Sequence, residues 1–353
     1  LKAARRSLWG PLIEKAAAKL HGSYEALNGG TFAEAFSMLT GYPVQKLNVH
    51  KYRRPAAPPP DAGAEAAGAY ESRLAAWRDG GHDVEVLFAQ LFSYKQSGFA
   101  MGASTFAQPG EEELLQRMRS TGLLCPHAYC VLQLTTLGDG EMLVKLRNPN
   151  GRAGWRGEWG RASSKWTYEL RRDLGLDSED GGVFWMSWAD FCAHFAEVTV
   201  CRLVPNMMEG REAGWLASAF NAGQAVAIDA YARSEVEVTL HQEPHRSRGV
   251  DATPTLVDIG LLVLKEELDG SYSRVASTER VLDHQTNLSA ALELDSHTTR
   301  YLVLPMCFGH MRSSEPRRFR LAVHATQPLT MQTLPLPAAT LATAITTSAI
   351  TTS

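Results

Sequence analysis

A histidine and an asparagine stand at the two ends of one candidate hairpin: His127 opens it and Asn148 closes it. Between them lie two apolar runs, His127 to Thr135 and Glu141 to Arg147, separated by Gly138-Asp139-Gly140. Short runs of Val, Leu and Tyr on either side of a Gly/Asp turn predict an antiparallel β-hairpin. An imidazole beside a side-chain amide suits a hydrolase with a thiol nucleophile. The imidazole accepts the thiol proton, and the amide oxygen fixes its tautomer and ring plane.

The register of this hairpin decides whether the two side chains meet. A two-residue turn at Asp139-Gly140 would place Val131, rather than His127, opposite Asn148. A shift of one residue along a strand moves every side chain to the other face of the sheet. A His–Asn pair therefore requires a bend, a bulge or a longer loop in this hairpin.

Two segments of the hairpin carry a resemblance to a known family. PHAYCV (126–131) and LRNPNG (146–151) resemble the GHAYSV and RNPWG segments around the catalytic His and Asn of the calpain family of cysteine proteases. The likeness extends to LWGPLIEKAAAKLHGSYEALNGG (8–30) and GVFWMSWADFCAHFAEVTVCRL (182–203). The region after Leu203 is most similar to the extra domain of the small-optic-lobes type of calpain. The resemblance implies an intracellular endopeptidase in which His127 is the base and then the acid, and Asn148 orients it.

The chain is expected to fold as two domains of the α+β class. The resemblance implies the His/Asn half of a papain-like protease over residues 1–207, an antiparallel sheet with flanking helices. Apolar spacing predicts helices at Leu8 to Ala26 and Phe32 to Leu39. Short alternating runs with turn signals predict an all-β sandwich over 208–333. A surface insertion at 54–68 and a low-complexity tail at 334–353 are expected to be disordered.

The nucleophile is the missing part of the constellation. Papain-like enzymes place the Cys far upstream of the His, and the resemblance puts Leu1 just downstream of that position. Cys125 lies on the same expected strand as His127 and lacks the helix N-terminus that lowers a thiol pKa. Cys130 stands where the family has Ser and is expected to be a packing residue. The chain is thus expected to be a fragment that needs the Cys-bearing half of the protease.

Two other classes of function compete with the protease interpretation. A catalytically inactive calpain homologue acting as a protein-binding scaffold is favoured by the missing Cys and by Asn150, where the family has a Trp that covers the His–Asn contact. Loss of that cover is expected to let water compete for the contact. A free-standing β-sandwich lectin or adaptor is the third class, and it does not explain the His127–Asn148 hairpin.

Cofactors are not expected in this chain. The resemblance implies calcium ligands in the two loops after Asn148, but Gly154 and Arg161 stand in the first loop and only Glu179-Asp180 remain in the second. An arginine repels a divalent cation, so this site is predicted to be lost. His194 has no partner at metal-ligand spacing and is not expected to bind metal. The tryptophans of the same region are expected to pack over the sheet: Trp155, Trp159 and Trp166.

Composition excludes several partners. A net charge of −3 over 353 residues, with 21% charged residues, argues against a nucleic-acid-binding surface. No apolar run is long enough to span a bilayer, and the first residues do not form a secretory signal. Five scattered cysteines are an odd number and do not form a disulfide framework. The scattered cysteines predict reduced thiols and a cytoplasmic location, and the family resemblance implies protein substrates.

Overall fold

The structure, a computed structural model, divides into two compact units. It describes residues 8–52, 57–58, 63–79, 83–107, 112–151, 154–178, 181–216, 223–242, 256–292, 300–307 and 317–335. One unit is Thr31–Leu203, and the other combines Leu1–Gly30 with Val204–Ser353. The domain boundary predicted at residue 207 remains a prediction.

The helices of the unit Thr31–Leu203 begin and end where local chemistry places their caps. Helix α2 (Phe32–Thr40) starts after Thr31, whose side chain accepts a hydrogen bond from the Glu34 N–H, and it ends at Gly41, whose φ is 71°. The other helices of this unit are α3 (Ala64–Asp79), α4 (Val84–Gln96), α5 (Glu112–Thr121), α6 (Tyr168–Asp173) and α7 (Trp188–His194). Short 3-10 turns lie at Val49–Tyr52 and Leu176–Ser178.

One part of the expected insertion at 54–68 is regular structure. Ala64 to Gly68 belong to α3, because alanine and glutamate favour helix once the proline run has ended. Residues 54–56 and 59–62 of the insertion lie outside the described residues.

An antiparallel sheet forms the centre of this unit. Among the described residues it has six strands: β1 (Val44–Asn48), β2 (Ala100–Thr105), β3 (His127–Thr136), β4 (Met142–Arg147), β5 (Val183–Ser187) and β6 (Glu197–Cys201). Their order is β1-β6-β2-β3-β4-β5, so the predicted hairpin β3–β4 lies inside the sheet. Strand β5 is buried along its whole length. The hairpin is therefore held between neighbouring strands on both sides.

The other unit contains helix α1 (Trp9–His21) and two sheets. In its described part, one sheet has five strands in the order β11-β10-β13-β8-β15 and the other has four in the order β12-β9-β14-β7. The strands are β7 (Met208–Trp215), β8 (Gln224–Ala230), β9 (Ser234–Gln242), β10 (Ile259–Glu266), β11 (Tyr272–Ser277), β12 (Gln285–Leu292), β13 (Arg300–Cys307), β14 (Arg318–Ala325) and β15 (Leu329–Pro335). Apolar residues from strands of both sheets form one buried cluster. The predicted α+β fold with a β-sandwich is confirmed.

Some sandwich strands were not predicted from the sequence. β7 has the sequence MEGREAGW, which is mostly polar or small, and β8 is rich in alanine. β15 reaches Pro335, so Leu334 and Pro335 belong to a strand rather than to the expected tail. The rest of that tail lies outside the described residues. Within the described part of the chain, no helix is long and apolar enough to cross a membrane.

Candidate active site

The hairpin β3–β4 departs from a simple two-residue turn. Its connection runs from Leu137 to Glu141, with the Leu137 N–H donating to the Glu141 carbonyl at 2.8 Å. The register then shifts between Val131 and Gln133, which leaves Leu132 as an extra residue. The longer loop and the bulge predicted as alternatives are both present. Together they pair Cys130 with Arg147, so His127 and Asn148 lie at the same open end.

A lysine from α4 supports the bulge. The Lys95 ammonium donates to the Val131 carbonyl at 3.2 Å. Burial lowers the pKa of Lys95, because the charged form loses hydration. The hairpin therefore gains a fixed contact from a neighbouring helix at the residue where its regular pairing is interrupted.

The structure brings the two predicted catalytic side chains into hydrogen-bond contact. Nε2 of His127 lies 2.9 Å from Oδ1 of Asn148. An amide oxygen only accepts, so Nε2 carries the hydrogen and donates it. In neutral imidazole the other nitrogen, Nδ1, is then left with the lone pair. This is the tautomer that a base needs if it is to take a proton at Nδ1.

Asn148 is fixed by its own surroundings. It is fully buried, with 0% of its surface exposed. Its Oδ1 also accepts from the Asn150 N–H at 3.0 Å, and its own N–H donates to the Gly182 carbonyl at 2.8 Å. The expectation that Asn150 lets water compete for the His–Asn contact remains a prediction, because His127 itself is only half-buried. The backbone of Asn150 supports the amide, and this support does not depend on the side chain at that position.

Aromatic rings pack around the histidine. Tyr129 is fully buried and stands edge-on to His127, with ring centroids 4.9 Å apart and an interplanar angle of 89°. The rings of Phe184 and Phe195 pack edge-on against Tyr129, with ring centroids 5.8 and 5.4 Å from that of the tyrosine. The sequence analysis did not assign Tyr129 a role. Its position two residues after His127 on a strand was a usable signal, because such residues share a face of the sheet.

The cysteines close to His127 in the sequence, Cys125 and Cys130, are poorly placed to act as the nucleophile. Burial raises the pKa of the Cys130 thiol, although Arg147 and Lys95 oppose this effect. Cys125 follows the end of α5 and precedes β3, so it does not lie at a helix N-terminus. All five cysteines are free thiols. The rejection of Cys125 and Cys130 as nucleophiles is consistent with these positions.

The tryptophan-rich loop packs as expected. Trp155, Trp159 and Trp166 are all buried. Trp159 and Trp166 meet edge to face with centroids 5.1 Å apart, and they share a core cluster with Trp185. Trp155 donates from Nε1 to the Glu158 carbonyl at 2.6 Å. The interpretation that these rings pack rather than stack on a ligand is supported.

The first loop after Asn148 carries its own positive charge. Nη2 of Arg161 donates to the Leu176 carbonyl at 2.7 Å. At Gly154, an added Cβ would lie 3.1 Å from Cδ1 of Phe184, so a carboxylate side chain would not fit without rearrangement. Glu179 and Asp180 lie outside the described residues. A calcium ion needs several oxygen ligands, and the predicted loss of this calcium site remains a prediction.

No metal cluster is found among the described residues. In that part of the chain, no group of three or more His, Cys, Asp or Glu side chains is placed to hold an ion. His194, considered and rejected as a metal ligand, has Nδ1 2.8 Å from the Asp190 carbonyl within its own helix. It also packs against Trp155, with ring centroids 5.1 Å apart. These contacts describe a packed core histidine.

Comparison with known proteins identifies the family. Residues 1–202 match the calpain family of cysteine proteases. The chain belongs to that family. The calpain family prediction made from the hairpin segments is confirmed, whereas the small-optic-lobes subtype remains a prediction. The matched region includes both His127 and Asn148.

Curated calpains from plants and animals are similar to part of this chain. The calpain-type cysteine protease DEK1 of Zea mays is 34% identical over 254 residues, covering 70% of this chain and 10% of the relative. Calpain-B of Drosophila melanogaster is 31% identical over 215 residues, covering 58% and 20%. Calpain-9 of Mus musculus is 31% identical over 213 residues, covering 59% and 26%. This calpain chain thus matches only 10% to 26% of the length of these relatives.

Proposed function

We propose that this chain is the His/Asn-bearing half of a calpain-type cysteine endopeptidase that cleaves protein substrates. The observation that carries the proposal is the hydrogen bond of 2.9 Å between Nε2 of His127 and Oδ1 of Asn148. The fully buried asparagine holds the imidazole in the tautomer that a thiol protease requires. Membership of the calpain family supports this assignment of the two residues.

The proposed reaction uses a cysteine from polypeptide upstream of Leu1. Nδ1 of His127 takes the thiol proton, and the thiolate attacks the scissile carbonyl carbon. His127 then gives that proton to the leaving amine, which leaves a thioester. Water attacks the thioester after losing a proton to His127, and the carboxylic acid is released as the thiol regains its proton. The hydrogen bond from Nε2 to Asn148 is kept throughout, so the imidazole ring does not flip and Nδ1 remains the nitrogen that exchanges protons.

The exposed face of α1 supports the presence of an upstream partner segment. Leu8, Trp9, Leu12 and Leu20 are 74%, 69%, 62% and 67% exposed. Large apolar side chains grouped on one exposed helix face mark a surface that another polypeptide covers. Because the chain matches only part of its relatives, we assign this face to the Cys-bearing half of the protease.

The proposed enzyme does not use calcium in the loop that follows Asn148. The Arg161 guanidinium binds the Leu176 carbonyl in this loop, and a second cation beside it would be repelled. A cytoplasmic location forms part of the same proposal. Five free thiols support it, because thiols stay reduced in that compartment.

A second candidate is a catalytically inactive calpain homologue that serves as a protein-binding scaffold. The specific observation in its favour is Asn150, which stands where the family has a Trp. The two candidates differ in whether an activated cysteine precedes Leu1.

The test is a peptidase assay on the chain extended upstream by its native gene sequence, with and without calcium. Activity that disappears in His127→Ala and persists in His284→Ala, a histidine of the other compact unit, supports the protease. Activity that is equal with calcium and with a chelator supports the metal-free loop. If the extended protein contains a Cys–Trp segment, folds and still shows no cleavage of any peptide, the scaffold proposal replaces the protease proposal.

A further inference from the structure

The backbone N–H and carbonyl of Leu124 are each hydrogen-bonded to a buried side chain. Its N–H donates to the Tyr129 hydroxyl oxygen at 2.8 Å. Its carbonyl accepts from Oγ1 of Thr105 at 2.7 Å. Tyr129 is 0% exposed and Thr105 is 2% exposed. Buried hydrogen bonds of this kind are costly to lose, because the group left behind has no water to replace its partner.

Thr105 also binds the backbone of the catalytic histidine. Thr105 in β2 pairs directly with His127 in β3. The His127 N–H donates to Oγ1 of Thr105 at 3.1 Å, and the same oxygen lies 3.2 Å from the His127 carbonyl. The hydroxyl has one hydrogen, which the shorter contact assigns to Leu124, and its lone pairs remain for the His127 N–H. One hydroxyl therefore connects the segment before His127 to His127 itself.

The Tyr129 ring packs edge-on against the imidazole of His127. Its ring meets the His127 ring at 4.9 Å and 89°, the edge-to-face geometry that aromatic rings favour. Since Phe184 and Phe195 pack edge-on to Tyr129, the tyrosine cannot turn away. The same side chain thus packs against the histidine ring and anchors the peptide group of Leu124.

We propose that Thr105 and Tyr129 are positioning residues for His127. Through Leu124 and the His127 backbone they fix where β3 begins, and through the tyrosine ring they fix the imidazole plane. Nε2 is thereby kept within hydrogen-bond distance of Asn148. The hydrogen bonds described for the two hydroxyls go to backbone groups of Leu124 and His127 rather than to the imidazole nitrogens. The expected effect on kcat rests on the proposed function, whereas the expected effect on the His127 tautomer does not.

The first test uses this chain as it is and reads the imidazole directly. Long-range ¹H–¹⁵N spectra of His127 near neutral pH report which nitrogen carries the hydrogen. The variants are Thr105→Val and Tyr129→Phe, which remove a hydroxyl and keep the shape. We expect the unmodified chain and Thr105→Ser, which keeps the hydroxyl, to show the Nε2–H tautomer alone. Both hydroxyl-deleted variants should lose this signature and show exchange between two tautomers.

Matched controls separate positioning from general loss of a buried hydroxyl. Thr239→Val and Tyr301→Phe make the same substitutions at buried residues of the other unit, and they should leave the His127 spectrum unchanged. If Thr105→Val does not fold, Tyr129→Phe and the Thr105→Ser rescue still decide the question. Folded Thr105→Val and Tyr129→Phe variants with an unchanged single tautomer would overturn the proposal.

A second test adds the same substitutions to the upstream-extended protein. Misplacement of a catalytic group by about 1 Å can lower the rate by about 10²-fold. We expect Tyr129→Phe to lower kcat by up to that factor with KM unchanged. If no form of the extended protein is active, the protease proposal fails while the spectra still judge the positioning role. Wild-type kcat in both hydroxyl-deleted variants would contradict it.

Discussion

Oδ1 of Asn148 accepts two hydrogen bonds, from Nε2 of His127 at 2.9 Å and from the Asn150 backbone N–H at 3.0 Å. The asparagine is therefore bound to His127, the proposed base, and to the loop that follows Asn148. We expect Asn148→Ala to lower kcat of the upstream-extended protein by about 10²-fold or more, because the imidazole loses its fixed tautomer. Peptidase kinetics measure this, with Asn287→Ala of the sandwich as the control. Equal kcat in both variants would exclude an orienting role.

Arg161 should contribute to stability without any metal. Arg161→Met removes the donor to the Leu176 carbonyl, and we expect a loss of roughly 1 kcal/mol in the free energy of unfolding. Thermal unfolding of the variant and of the unmodified chain measures this loss. For the unmodified chain, the melting temperatures in calcium and in chelator should coincide. Arg172→Met is the control, because Arg172 pairs only with the adjacent Asp173 at the surface in the contacts described for it. A rise in melting temperature with calcium would contradict the metal-free loop.

His241 makes the sandwich sensitive to acid. Burial, followed by the positive charges of Arg211 and Arg320 and by His324, lowers the pKa of His241 from 6.5 to about 4. Between these values the unfolded chain binds the proton and the folded chain does not. Stability is therefore fully present above pH 6.5 and falls as the pH drops towards about 4. The loss amounts to about 3 kcal/mol at most.

Unfolding of the chain in urea at about pH 5 and about pH 7.5 measures this dependence. His241→Gln should reduce the difference between the two conditions. Some difference should remain, because burial also lowers the pKa of His324. An identical pH dependence in His241→Gln and the unmodified chain would show that the imidazole is not the group that titrates.

Gly102 leaves room for a phenylalanine ring. A Cβ added at Gly102 in β2 would overlap the ring of Phe32, the first residue of α2. We expect Gly102→Ala to destabilise the chain by about 1–3 kcal/mol. Adding Phe32→Ala should recover part of this loss, which a double-mutant cycle measures. Gly138→Ala, where nothing lies within 4 Å of an added Cβ, is the control; an equal loss there would remove the steric explanation.

Local signals predicted the parts of the fold that local chemistry determines. The helix predicted at Phe32 to Leu39 is α2 (Phe32–Thr40), and the apolar runs predicted on either side of Gly138-Asp139-Gly140 form β3 and β4. The pairing of His127 with Asn148 was predicted only on condition that the hairpin departed from a simple turn. The location of the bulge was not predicted, and its contact with Lys95 joins residues that are distant in the chain. The adjacent Val131 and Leu132 were a usable signal, since regular alternation rarely places two apolar residues together.

Contacts between distant segments explain the other differences. The N–H of the buried Asn148 donates to the carbonyl of Gly182, which is distant in the chain. The contact of Thr105 with His127 joins β2 to β3 across a sheet whose strand order is not the order of the chain. Strands β7 and β8 have weak apolar patterns and are defined by their partners β14, β13 and β15.

The bulge at Leu132 also limits how this hairpin can change in length. Buried residues of β3 occur at Tyr129 and Val131 and then at Leu134, so the alternation changes phase within the strand. Removing or adding one residue between His127 and Thr136 would turn the imidazole to the opposite face of the sheet. Residues inserted between Leu137 and Glu141 would leave the register unchanged. Natural variation in length, and any engineered tag or sensor, is therefore expected to be confined to that connection.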